Sequence, residues 1–119
     1  MGGELSWRFR YGLAIVNEVV KMIVKIIIRR TVAEEKVKEL IPLLEQIRTL
    51  AAEQPDYISG ETLKSLDKPD EFLVISTWNS PVSWEKWLAN KERQEIQKRI
   101  DSLLGGRTEY EMFYYVSAE

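Results

Sequence analysis

EFLVISTW, at residues 71–78, is the strongest strand signal in the chain. Most of its residues are aliphatic, β-branched or aromatic, and these types are enriched in strands. Side chains alternate between the two faces of a strand, so Phe72 and Val74 lie opposite Leu73 and Ile75. Both faces of this strand are therefore apolar, and we expect both to be covered in the folded protein.

The segment before this strand predicts a β-hairpin. Tyr57–Leu66 has the composition of a strand, and Asp67-Lys68-Pro69-Asp70 predicts the tight turn that joins it to residues 71–78. Gly60 within the first of these strands predicts a bulge or a close approach of another group. The two strands should therefore pair as antiparallel neighbours.

A strand and a helix precede the hairpin. Lys21–Thr31 is rich in Ile and Val and is bounded by charge, which predicts a strand. In Glu34–Glu53 the apolar residues recur at steps of three and four, which predicts one helix with a buried stripe. Pro42 removes one backbone hydrogen bond, so we expect this helix to bend. The stripe consists of Val37, Leu40, Ile41, Leu44, Ile47 and Leu50.

A short helix follows the EFLVISTW strand. Ser80-Pro81 predicts an N-cap followed by proline at the first helical position. Trp84, Trp87 and Leu88 then share one helical face. Asn90 predicts a break after this helix.

The chain ends in a longer helix and a strand. Lys91–Leu104 predicts the helix, Gly105-Gly106 terminates it, and Thr108–Val116 predicts an aromatic-rich strand. The mixed charges of residues 91–95 predict a solvated helix face. The element order is β-α-β-β-α-β with the second helical block split, which predicts an α+β, ferredoxin-like fold with an antiparallel sheet.

The two apolar faces of the strands predict a homodimer. Helices cover only one face of such a sheet, and a contiguous apolar patch on the other marks an interface. A second copy packed sheet against sheet, as a two-fold dimer, covers that patch most simply. A compatible alternative is that one face is only partly apolar and turns four side chains toward a ligand: Lys25, Arg29, Ser76 and Trp78.

Composition excludes several kinds of chemistry. The 119 residues correspond to one domain, and the net charge of −2 argues against a nucleic-acid-binding protein. The chain has no Cys and no His, which excludes a thiol nucleophile, a disulfide framework, a Cys/His zinc site and a His-dependent triad. Catalysis must then depend on carboxylates, Lys, Arg, Tyr, Trp, amides or a bound cofactor.

We divide the chain into two parts. Residues 1–21 are an N-terminal extension or arm, and residues 22–119 are the single domain. The apolar runs Gly12–Val16 and Met22–Ile28 are too short for a signal peptide or a membrane span. We therefore expect a cytoplasmic protein with no membrane partner. The extension is either poorly ordered or packs on a partner subunit.

Three stretches resemble the antibiotic biosynthesis monooxygenase family, which is of the dimeric α+β barrel type. They are KIIIRRTVAEEKVKELIPLLEQIRTLA at 25–51, PDYISGETLKSLDKPDEFLVISTWNS at 55–80 and SWEKWLANKERQEI at 83–96. The resemblance covers about residues 22–116 and implies the same fold and a homodimer. Members of the family include cofactor-independent oxygenases of aromatic polyketides, haem-degrading oxygenases and proteins with no known reaction.

The resemblance assigns roles to several positions. Trp87 matches the family's pocket tryptophan and implies an aromatic wall against a flat substrate, with simple packing on the sheet as the alternative. Haem-degrading members carry Asn on the first strand, where this chain has no Asn but offers Arg29. The position of the His in those members corresponds to Gln97 in this chain. Because the chain has no His, a haem iron has no ligand of the usual type. We therefore expect neither haem degradation nor a cofactor.

Cofactor-independent oxygenation requires a site that desolvates the substrate and stabilises its anion. Arg29 or Arg30 is placed to hold a phenolate. Glu61 is the candidate base if the strand turns it inward, and a solvated edge residue otherwise. The predicted catalytic residues are Trp87, Gln97 and Arg29, the predicted substrate-binding residues are Trp78, Tyr57, Tyr114 and Glu61, and no metal site is predicted.

The sequence therefore predicts a monooxygenase whose partners are molecular oxygen and a small planar aromatic compound, polyketide- or quinol-like. The absence of His, Cys and an evident general base supports an alternative from another class. In that alternative the chain is a non-catalytic small-ligand-binding or assembly module on the same dimeric fold.

Overall fold

Four strands and three helices make up residues 22–116, which are the residues that the computed structural model describes. The strands are β1 (Val24–Thr31), β2 (Tyr57–Lys64), β3 (Glu71–Trp78) and β4 (Glu111–Tyr114). The helices are α1 (Val37–Ala52), α2 (Pro81–Leu88) and α3 (Lys91–Leu104), and a 3₁₀ turn (Glu34–Lys36) precedes α1.

The strands form one antiparallel sheet in the order β2-β3-β1-β4. This order and the helical connections give the predicted ferredoxin-like α+β fold. The predicted extension, residues 1–21, lies outside the described residues. Within residues 22–116, no helix is both long enough and apolar enough to cross a membrane.

Local signals place the helix ends where the sequence predicts them. The backbone N–H of Ser83 donates to Ser80 Oγ at 3.1 Å, and that of Arg93 donates to Asn90 Oδ1 at 2.9 Å. Both side chains therefore act as N-caps. Gly105 ends α3 with a φ of 76°, a conformation that glycine adopts without steric cost. The α1 helix continues through Pro42.

The last strand is shorter than predicted. Thr108–Val116 contains only four residues in strand conformation, Glu111–Tyr114. Tyr110, just before them, turns toward the helices, and its ring lies edge-on to Trp84 with 5.2 Å between centroids. This packing keeps the start of the segment out of the sheet.

The pairing register decides which side chains face the helices. Residues paired across an antiparallel sheet share a face, and Val24 pairs with Trp78 while Lys25 pairs with Thr77. Because Val24 is buried beneath the helices, Trp78 lies on that side and Lys25 on the other. The alternative in which one face of the sheet turns four side chains toward a ligand is therefore wrong. Lys25 and Arg29 lie on one face, whereas Ser76 and Trp78 lie on the other.

The core consists of two apolar clusters. One lies around Trp78, and the other lies between α1, α3 and the opposite end of the sheet. The first contains Val24, Ile26, Ala51, Trp78, Trp84 and Trp87, and the second contains Val32, Leu40, Leu44, Phe72 and Ile100. Trp87 of the first and Leu44 of the second line the same cavity, so the clusters meet at that cavity.

The stripe of α1 gives a direct test of the core. Leu40 is fully buried, whereas its neighbour Ile41 is 39% exposed. We expect Leu40→Ala to lower the free energy of unfolding by about 2–5 kcal/mol, because it leaves a cavity between α1 and the sheet. Ile41→Ala is the matched control and should cost less than about 1 kcal/mol. Equal losses in urea denaturation would contradict this packing.

Candidate active site

A mainly apolar cavity lies between the helices and the sheet face that they cover. The cavity volume is about 80 Å³, and the empty space is about 600 Å³ when the adjoining open solvent is included. The sheet contributes Ile28, Arg30, Val74, Ser76 and Trp78 to its wall, and the helices contribute Leu44, Ile47, Arg48, Ala51, Trp84, Trp87, Arg93 and Gln97. A few polar groups in an otherwise apolar concavity are typical of small-molecule sites.

Three tryptophans form one end of the wall. Trp78 and Trp87 are stacked, with 5.6 Å between centroids and 28° between ring planes. Trp84 lies beside Trp78 at 6.1 Å, and the Tyr57 ring meets Trp78 edge-on at 5.3 Å. The Trp78 indole N–H donates to Ser76 Oγ at 3.1 Å. Because these contacts fix the rings, the wall offers a rigid aromatic surface.

Arg93 is the most enclosed charged residue at the site, with 4% of its surface exposed. Its Cζ atom lies 5.5 Å from the Tyr110 ring centroid, 5.9 Å from that of Trp87 and 6.0 Å from that of Trp84. Its Nη1 donates to the Leu88 carbonyl at 3.4 Å, and its Nη2 donates to the Tyr110 hydroxyl. Cation–π contacts and hydrogen bonds thus replace water around this guanidinium.

A second polar network begins at Gln97. Its Nε2 donates to Asp101 Oδ1 at 2.9 Å and to Thr108 Oγ1 at 2.7 Å, and the Thr108 hydroxyl donates to Asp101 Oδ1 at 2.6 Å. Arg30 Nη2 reaches Thr108 Oγ1 at 3.5 Å. The network therefore joins β1, α3 and the segment before β4 at the edge of the cavity.

Burial shifts the proton affinity of the groups at the site. Desolvation lowers the pKa values of Arg30 and Arg93, with nearby Tyr110 and Asp101 acting against the shift. Both guanidinium groups stay protonated, because arginine keeps its charge in proteins. Desolvation also raises the Tyr110 pKa, which the positive charge of Arg93 opposes. Tyr110 is therefore a neutral hydroxyl at pH 7, held between Arg93 and the Trp84 ring.

Gly60 allows Tyr57 to reach the cavity. A Cβ atom at this position would collide with the Tyr57 hydroxyl, and the register of β2 shifts between Tyr57 and Ser59. The predicted close approach is therefore confirmed, with an irregularity beside it. Burial of Tyr57 raises its pKa.

The structure brings four of the predicted site residues together. Trp78, Trp87, Gln97 and Tyr57 all line the cavity. Glu61 borders it, but its pairing with Ile75 directs the carboxylate to the far face of the sheet, where the residue is exposed.

Two predicted site residues lie away from this cavity. Arg29 is on the far face, where its Nε contacts Glu111 Oε1 at 3.2 Å. Tyr114 pairs with Val24 on the edge strand, is half exposed and does not contribute to the cavity wall. Their roles in substrate binding and catalysis stay predictions.

Sequence reasoning missed three polar residues at the site: Arg93, Thr108 and Tyr110. Residues 91–95 are predicted to be a solvated face, and this is wrong for Arg93, which is buried against three aromatic rings. Arg93 lies four residues before Gln97, a spacing that places both on one helical face and was an available signal. Tyr110 and Thr108 carried no such signal, because they meet α3 only in the folded chain. Within residues 22–116, no group of three or more His, Cys, Asp or Glu side chains is arranged to hold a metal ion.

Comparison with solved structures finds the same fold in other proteins. A conserved protein from Methanosarcina mazei superposes with a TM-score of 0.72 at 16% identity, covering 82% of this chain and 96% of that one. SnoaB, a cofactor-independent oxygenase from Streptomyces nogalater, gives a TM-score of 0.66 at 16% identity, with 82% and 95% covered. Rv0793 from Mycobacterium tuberculosis gives 0.71 at 14% identity, with 81% and 97% covered.

Comparison by sequence identifies the family. No curated protein matches the chain. The sequence model of the antibiotic biosynthesis monooxygenase family matches residues 23–99, which include β1 to β3, α1, α2 and the part of α3 that carries Arg93 and Gln97. Since this match spans more than half of the chain, the protein belongs to the antibiotic biosynthesis monooxygenase family.

Proposed function

We propose that the protein is a cofactor-independent monooxygenase that acts on a small planar aromatic compound. The observation that carries the proposal is the stacked Trp78–Trp87 pair in an apolar cavity with buried, charged Arg93 beside it. A flat ring can bind against the tryptophans, and a cation in a desolvated site stabilises negative charge strongly. Family membership and the structural similarity to SnoaB support this assignment.

The proposed reaction starts from an anthrone or a comparable acidic ring. Loss of a ring C–H proton to solvent gives a resonance-stabilised carbanion whose charge rests largely on the ring oxygen. The Tyr110 hydroxyl, held by Arg93, is the group assigned to this oxygen. The Gln97 amide gives its two N–H donors to Asp101 and Thr108, so it acts on the cavity edge and not on the substrate oxygen. The carbanion transfers one electron to molecular oxygen, and the resulting radical pair forms a C–O bond and a peroxide.

The remaining steps balance without another reductant. The peroxide takes up the proton, and cleavage of the O–O bond with loss of the second ring hydrogen releases water. The methylene carbon becomes a carbonyl, so one anthrone and one O₂ give one quinone and one H₂O. In this scheme the protein supplies desolvation, orientation and charge stabilisation, which are effects that a preorganised apolar site can provide.

Oxygen consumption tests the proposal. The purified protein should consume O₂ with 9-anthrone or a quinol panel at a rate above the buffer. Tyr110→Phe keeps the ring against Trp84 but removes the hydroxyl, so we expect kcat to fall by about 10²-fold, as when one oxyanion donor is lost. Tyr115→Phe, a half-exposed tyrosine outside the cavity, is the matched control and should keep the wild-type rate.

Two outcomes would count against this proposal. An unchanged rate in Tyr110→Phe, with circular dichroism showing an intact fold, would remove Tyr110 from the mechanism. No oxygen uptake with any substrate of the panel would remove the oxygenase assignment.

The alternative function is a non-catalytic binding module for small ligands. It is favoured by one observation: the carboxylate of Glu61 faces away from the cavity, which leaves no carboxylate base on the described cavity wall. Native mass spectrometry of the freshly purified protein distinguishes the two functions. A bound aromatic molecule that is recovered unchanged after incubation in air would favour the binding module, and an oxygenated product would favour the enzyme.

We also propose that the far face of the sheet forms a homodimer interface. The face opposite the helices carries apolar side chains that are partly or half exposed: Ile27, Leu63, Leu73, Ile75 and Phe113. A second copy of the chain, packed sheet against sheet, would remove this patch from water.

Sedimentation velocity tests the dimer. The wild-type protein should sediment as a dimer at micromolar concentration. Ile75→Glu at the centre of the patch should give monomers, because it would bury an unpaired carboxylate in the interface. Ile41→Glu, on an exposed position of α1, is the control and should remain dimeric. A wild-type monomer would contradict the proposed interface.

A further inference from the structure

Arg30 is the polar residue of the cavity that the fold leaves least satisfied. It is 8% exposed and lines the cavity from β1. Its Nε is buried without a hydrogen-bond partner among the described residues, and its one side-chain hydrogen bond is the long contact of 3.5 Å to Thr108. A buried donor without a partner costs free energy, so the Arg30 guanidinium is incompletely satisfied by the fold.

The charges around the cavity are also unbalanced. Three arginines contribute to its wall, Arg30, Arg48 and Arg93, whereas the one carboxylate residue among the described wall residues, Glu61, turns its side chain to the far face. Asp101 is the nearby acidic group, and its Oδ1 already accepts from Gln97 and Thr108. No ion pair joins Arg30 or Arg93 to any residue between 22 and 116.

The two buried arginines differ in how many of their hydrogen-bond donors already have a partner. Arg93 is occupied by Tyr110, the Leu88 carbonyl and three aromatic rings. Arg30 has an Nη2 donor on Thr108, and its other Nη donors have no hydrogen-bond partner among residues 22–116. Its Nε is fully buried, so the Nη edge is the part of the guanidinium available to a ligand. An arginine edge presents two parallel N–H donors, a geometry that matches the two oxygens of a carboxylate.

We propose that the substrate carries a permanent carboxylate and that Arg30 binds it. This inference rests on the proposed function, because it names the class of compound that the same site accepts: a planar aromatic carboxylate. The ring then lies against Trp78 and Trp87, and the carboxylate lies at the β1 side of the cavity. Arg30 is thus a specificity residue, separate from the Tyr110 hydroxyl assigned to the reacting oxygen.

Binding of two matched probes tests the inference. The probes are 9-anthracenecarboxylate and 9-anthracenecarboxamide, which share the ring and differ in charge, and calorimetry measures their dissociation constants. The carboxylate should bind roughly tenfold to hundredfold more tightly to the unmodified protein, as expected for a charge-assisted hydrogen bond. Arg30→Gln should abolish this preference, and Arg30→Lys should keep part of it. Arg99→Gln, an exposed arginine on α3, should keep all of it.

The inference is overturned if the two probes bind equally to the unmodified protein, if neither binds, or if Arg30→Gln keeps the preference. The comparison on the unmodified protein needs no variant, so poor folding of Arg30→Gln does not weaken it. A carboxylate preference without oxygen uptake would support Arg30 binding and reject the oxygenase. Oxygen uptake with neutral anthrones and no carboxylate preference would support the oxygenase and reject carboxylate binding by Arg30.

Discussion

The enclosure of the Arg93 guanidinium by aromatic rings is the interaction on which the site depends. Removing a guanidinium from water costs several kcal/mol unless other contacts replace the solvent. Here Trp84 and Trp87 of α2 and Tyr110 before β4 supply the ring faces, and Tyr110 also accepts a hydrogen bond. This one side chain therefore fixes α2, α3 and the last strand relative to one another.

The same enclosure explains the form of the cavity. Tyr110 turns inward to meet Arg93 and lines the cavity just before the four-residue β4. Gln97 lies one turn further along α3 and hydrogen-bonds to Asp101 and to Thr108, in the segment before β4. What remains between the two apolar clusters is a concavity with rigid aromatic walls and positive charge, a combination suited to a flat, electron-rich and anionic molecule.

Local rules account for most of the fold. The helix caps, the hairpin and the order of the elements each follow from a few neighbouring residues, and the structure confirms them. The stripe of α1 is confirmed at Leu40 and Leu44 but is wrong at Ile41, which is 39% exposed. Strand alternation also assigns the two arginines of β1 to opposite faces of the sheet. Since Val24, Ile26 and Ile28 share one face, Arg30 belongs with them and Arg29 does not. The resemblance to haem-degrading members indicates Arg29, which lies on the far face beside Glu111.

Arg93, Thr108 and Tyr110 could not be predicted from such local rules. Arg93 sits among charges of both signs, and only the distant Tyr110 and the tryptophans of α2 make it a buried residue. Likewise, nothing near Thr108 in the sequence indicates that it joins Arg30 and Gln97. These contacts arise from tertiary packing, which overrides the local preference of a charged helix for solvent.

We propose that the ligand binds on the helix-covered face of the sheet, between the tryptophans and the buried arginines. A crystal structure of the protein with 9-anthracenecarboxylate tests it most directly. We predict that the ring lies against Trp87 and that the carboxylate contacts Arg30. A ring bound on the opposite face, beside Arg29, or an empty cavity at saturating ligand, would contradict the account.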